Sequence, residues 1–73
     1  MIVVDANVLV YMLVPGPRTS DARATFRRDP VWRAPRLWRS EFRQFLLGRM
    51  RRGETVPSDA AGLIAAAAGL LGA

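Results

Sequence analysis

Two short runs of strand-forming residues, each cut off by a helix-start or proline signal, and helical spacing through most of the remaining chain predict an α/β protein built on a parallel sheet. The first run is Ile2-Val3-Val4 and the second is Val31-Trp32-Arg33-Ala34, closed by Pro35. Helical signals rather than a tight turn lie between them, so the two strands run parallel through a right-handed crossover. With 73 residues, the chain forms one domain, of a size that buries only about 60% of its unfolded surface.

Residues 2–4 are continuously apolar and β-branched, which suits a strand buried on both faces. Asp5 interrupts the run. An ionised carboxylate among apolar residues needs a cation, a ring of donors or an exposed strand end. It could equally cap a helix starting near Ala6, with Asn7 helping, since Asp and Asn are both favoured at helix N-termini. Val8 to Tyr11 would extend the strand by propensity, but Asp-Ala-Asn reads better as a strand end followed by a short helix. Pro15-Gly16-Pro17 closes that helix.

A second helix begins with Thr19 or Ser20 as N-cap and Asp21 in its first turn; Ala22 and Phe26 share a face, and Arg27 and Arg28 complement the dipole at its end. The second strand follows. A third helix, over about 36–52, gathers Trp38, Phe42, Phe45 and Leu46 on one face and places Arg36, Arg39 and Arg43 elsewhere, with Gly53 ending it. Glu41 lies at the edge of that apolar face, either pairing with a nearby arginine or serving chemistry. Pro57, Ser58 and Asp59 introduce a fourth helix, with Asp59 read as part of its cap and Leu63, Ile64, Leu70 and Leu71 spaced for one face. The alanine-rich end is therefore a packing helix.

Composition limits the chemistry. The chain has no cysteine and no histidine, so it lacks thiolate and imidazole metal ligands and the commonest general base. Hydrolysis would have to run on carboxylates and metal-bound water. All eleven basic residues are arginine and the net charge is +5, which favours a polyanion such as RNA or an acidic protein segment. The apolar start lacks the basic region and cleavage site of a signal peptide, and the apolar tail falls short of the ~20 residues that cross a bilayer. A cytoplasmic protein with no membrane association is the expectation.

Asp5 at the carboxyl end of the first strand and Glu41 on the helix after the second lie where α/β sheets place ligand groups. Two carboxylates ~5 Å apart repel by about 3 kcal/mol at an effective dielectric near 20. Mg2+ or Mn2+ would relieve that repulsion, being hard ions that take oxygen ligands.

Ile-Val-Val-Asp-Ala-Asn-Val-Leu-Val-Tyr and Trp-Arg-Ala-Pro-Arg-Leu-Trp-Arg-Ser-Glu-Phe-Arg, in this order and separation, resemble the first two motifs of PIN-domain ribonucleases, in particular VapC-type toxins of toxin-antitoxin modules. The resemblance runs over the whole chain. It implies a three-layer sandwich around a parallel sheet, Mg2+- or Mn2+-dependent endoribonuclease activity on RNA, and a cognate antitoxin partner. It makes Asp5 and Glu41 the catalytic and metal-binding acids, with Asn7 and Ser40 in supporting polar positions. The family also uses acids from its C-terminal half, including an Asp on a later helix, and nothing follows Ala73 here. Residues 1–73 therefore read as a single partial PIN domain with the first two strands and about four helices, inactive by itself. A non-catalytic fragment that binds an antitoxin or a second protomer, and a small basic RNA binder without chemistry, are the readings from other classes.

Overall fold

A computed structural model describes residues 1–72. Along the chain run β1 (Ile2–Val3), α1 (Ala6–Leu13), α2 (Thr19–Arg28), β2 (Trp32–Arg33), α3 (Trp38–Arg51) and α4 (Pro57–Leu70). The strands pair in parallel with Ile2 opposite Trp32 and Val3 opposite Arg33. Ile2 N–H donates to the Val31 carbonyl at 2.9 Å and Val4 N–H to that of Arg33 at 2.8 Å.

Each strand is two residues long, and the reason is local. Asp5 adopts extended geometry as the N-cap of α1, and its carboxylate accepts from the Val8 N–H. Helix therefore begins three residues beyond β1. Pro35 cannot donate to a ladder and stops β2 in the same way.

The sandwich architecture expected from the sequence is not what forms. Helices hold 64% of the structure and the sheet has only two strands, so this is a small helix-dominated fold rather than a three-layer PIN-like α/β sandwich. Burial of the sheet on both faces fails as well. Period-2 alternation sends Ile2, Val4 and Trp32 to one face and Val3 and Arg33 to the other. Trp32 is fully enclosed, whereas Val3 is 66% exposed and Arg33 is exposed. A β-branched apolar run shows that a segment prefers extended structure; it does not show that helices cover both sides.

The core is built mainly by helices. Leu9 of α1, Phe42 and Leu46 of α3 and Trp32 of β2 are its largest fully buried side chains, joined by Val4, Ala60, Ala67 and Leu71. Helix α1 touches α2, α3 and α4, which makes this eight-residue, almost wholly apolar helix the hub of the packing. Phe26 stands edge-on to Trp32, with ring centroids 5.0 Å apart. The indole Nε1 of Trp32 is buried without a partner among the described residues, at a cost of about 1–3 kcal/mol. Ala60 and Ala67 let α4 approach the core closely, and Leu63, Ile64 and Leu70 pack partly against it, as the spacing of the alanine-rich end predicts.

Two local readings need correction. Helix α2 has Arg18 as its N-cap, with no side-chain capping bond. Thr19 is buried and reaches backwards instead: its Oγ1 accepts from Gly16 N–H at 2.9 Å and donates to the Val14 carbonyl at 3.3 Å, closing the Pro15-Gly16-Pro17 turn. Asp59 makes no capping bond either, since the α4 N-cap is Val56, Pro57 takes the first turn, and Asp59 lies in that turn as an acidic residue. Gly53 does end α3: with φ +73°, it donates to Met50 while Glu54 N–H reaches back to Arg49, the two bonds of a Schellman closure that favours glycine.

Candidate functional site

A cavity of about 320 Å³ opens between the first turns of α1 and α3, lined by Asp5, Ala6, Asn7 and Val10 from one and Glu41, Gln44 and Phe45 from the other. Helical spacing explains the set. Asn7 and Val10 are three residues apart, as are Glu41 and Gln44, so each pair shares one face of its helix, and the packing of α1 on α3 turns the two faces together. Both acids identified from the sequence therefore line one cavity, from positions 36 residues apart.

Their bonding differs. Asp5 Oδ1 accepts from Val8 N–H at 3.1 Å, so the helix cap and the cavity wall are the same residue; the second carboxylate oxygen has no partner among the described residues. Glu41 lies in the first turn of α3 and is exposed. The alternative in which it pairs with an arginine is not seen: the ion pairs among the described residues are Met1 ammonium–Asp29, Arg49–Glu54 and Arg52–Glu54. None of the eleven arginines lines the cavity. Two arginines stand over aromatic rings, Arg39 over Trp38 at 5.0 Å and Arg18 over Tyr11 at 5.6 Å.

Each acid is at the N-terminal end of a helix, where the backbone dipole turns its positive end toward a negative group. Two carboxylates at the ~5 Å spacing of a shared cation repel by about 3 kcal/mol near a dielectric of 20.

The donor set fits a hard divalent ion. All four polar side chains around the cavity, two carboxylates and two carboxamides, offer oxygen, the donor Mg2+ and Mn2+ prefer. No three acids converge among the described residues, so any such ion would keep much of its water. Asn7 lines the cavity as expected. Ser40 is exposed and absent from the lining; one residue before Glu41, it points about 100° around the helix. Gln44 takes that place, and the signal for it was present, three residues after Glu41 on the same face.

A larger cleft of about 460 Å³ lies at the other end of α1, lined by Leu13, Val14, Pro15 and Leu63 with Arg49, Glu54, Thr55, Ser58 and Asp59 among its polar residues. Most of its charge is already paired. Arg49 Nε donates to Thr55 Oγ1 at 2.8 Å, and Arg52 Nε to Glu54 Oε1 at 2.8 Å. The hydrogen bond from Arg52 holds the Glu54 carboxyl below its ordinary pKa and raises that of Arg52. This network ties the Gly53 turn together, whereas the smaller cavity keeps its acids unpaired.

Among the described residues no helix is long and apolar enough to cross a membrane. Comparison with known protein families, curated proteins and solved structures gave no match to this chain.

Proposed function

We propose that the cavity between α1 and α3 is a divalent-cation site of the kind used for phosphodiester chemistry on RNA by the PIN-domain ribonucleases that the two motifs resemble, with two acids that hold the ion but do not suffice for cleavage by residues 1–73 alone. The observation that carries this reading is the meeting of Asp5 and Glu41 in one cavity that excludes every arginine of a chain with net charge +5.

Asp5 and Glu41 would hold Mg2+ or Mn2+, and Asn7 and Gln44 would offer neutral oxygen or N–H groups beside them. A bound ion of this type activates water and stabilises charge on a phosphoryl oxygen. Asp5 is fixed by its bond to Val8 N–H, so its free oxygen has a set direction. Arg36, Arg39 and Arg43 are exposed on or just before the helix that carries Glu41, where they can hold the phosphates of an RNA strand by charge. Phe45 and Val10 form the apolar wall of the cavity and limit access of water from that side.

The test is Mn2+ binding to residues 1–73, followed by the loss of free Mn2+ signal in electron paramagnetic resonance. Wild type should bind weakly, because two carboxylates leave about four of six coordination positions to other donors. The double variant Asp5→Asn, Glu41→Gln should lose most of that binding. Identical titrations would remove the site.

A further inference from the structure

We infer that Gln44 is a cation-binding residue of this cavity, supplying its side-chain carbonyl oxygen beside Asp5 and Glu41; the inference rests on the cation reading of the same site. Gln44 is one helical turn beyond Glu41 and lines the same cavity. Its side chain is exposed and has no hydrogen bond to protein among the described residues, so no structural role consumes its carboxamide.

Charge balance favours a neutral third donor. Asp5 and Glu41 already match the two charges of a divalent ion, and a carboxamide adds an oxygen without adding to the repulsion between the acids. Hard cations accept Asn and Gln carbonyl oxygens alongside carboxylates. The geometry is two-sided: Asp5 and Asn7 approach from the start of α1, and Glu41 and Gln44 from the start of α3, each helix contributing one carboxylate and one carboxamide. Ser40 cannot substitute, because it lies outside the lining.

The sequence makes the test direct. Gln44 is the one glutamine of the chain and Asn7 its one asparagine, so their side-chain NH2 signals in a nitrogen–proton correlation spectrum are assigned without ambiguity. Titration of the whole chain with Mg2+, which does not broaden signals, should shift the Gln44 NH2 pair along with the backbone amides of residues 5–7 and 41. Replacement by alanine should weaken Mn2+ binding about threefold or more. Gln44→Glu should tighten it about tenfold or more, since a third carboxylate now faces the ion.

Three outcomes overturn the inference. If Mg2+ moves the amides of residues 5–7 and 41 while the Gln44 NH2 pair stays in place, the acid pair stands and Gln44 is not a ligand. If Gln44→Ala and Gln44→Glu both bind Mn2+ as wild type does, the side chain is only a neighbour. If wild type, the double acid variant and Gln44→Glu all give the same titration, the cation reading falls and this inference falls with it.

Discussion

Asp5 does two things in this structure, and substitution separates them. Its Oδ1 caps α1 through Val8 N–H at 3.1 Å, while its charge shares a cavity with Glu41. Asparagine caps a helix about as well as aspartate, so Asp5→Asn keeps the cap and removes the charge, whereas Asp5→Ala removes both. Losing the cap costs about 1 kcal/mol. Because α1 packs on all three other helices, that cost falls on the whole fold. For a domain of this length about 1 kcal/mol moves Tm by roughly 4–8 °C. Asp5→Asn gives up a dipole interaction of about 0.3–1 kcal/mol and removes like-charge repulsion from Glu41, which is on the order of 1 kcal/mol for exposed carboxylates that share a cavity. In metal-free buffer with EDTA, its Tm should therefore equal or exceed that of wild type. Both variants should bind Mn2+ poorly. The assay is thermal unfolding by circular dichroism at pH 7, with and without Mn2+. An Asp5→Asn protein that melts as early as Asp5→Ala in EDTA would refute the reasoning, because the charge would then stabilise the fold and the two acids would have no conflict for a cation to relieve.

Other expectations follow from the same geometry. Phe42 is fully buried, so Phe42→Ala should cost about 3–5 kcal/mol, a large part of the roughly 4–11 kcal/mol total for a chain of this size; urea unfolding should show its midpoint far below that of wild type, and an unchanged midpoint would show that Phe42 is not in the core. Glu54 is held below its ordinary pKa mainly by the Arg52 hydrogen bond, so its contribution is present above the unfolded carboxylate range and is lost as pH falls through the lowered folded value. Glu54→Gln should then lose that small contribution at neutral pH and flatten the acid limb of a stability–pH curve by the same amount, and an unaltered acid limb would show that the pair does not form. With two acids at the site, residues 1–73 should cut RNA no faster than background in Mg2+ or Mn2+; cutting that disappears in Asp5→Asn would show that two suffice.

Much of the local structure is legible in the sequence because its signals are short-range. Pro35, Gly53 and Pro57 end or begin elements where backbone rules require it, and the spacing of Trp38, Phe42, Phe45 and Leu46 identifies the inward face of α3. The sheet differs from the sequence expectation for a physical reason. Val3 is apolar and β-branched whether or not anything covers it, and with strands of two residues each the helices, not the sheet, organise the core. Thr19 misled similarly. A threonine before a helix can cap forwards or staple backwards, and only the position of Val14 and Gly16 decides between them.

The site shows where periodicity helps and where sequence proximity misleads. Ser40 adjoins Glu41 in the chain and is therefore easy to enlist, yet a neighbour in sequence is about 100° away around a helix. Gln44 is three residues off and shares the face. Asp5 carries the reverse lesson. A helix cap and a cavity carboxylate read as alternatives in the sequence, but a carboxylate has two oxygens, and only one of them accepts from Val8 N–H. Capping and lining the cavity are therefore compatible: one oxygen accepts from Val8 N–H, and α1, held by its contacts with three helices, still places Asp5 in the cavity that Glu41 and Gln44 line from α3.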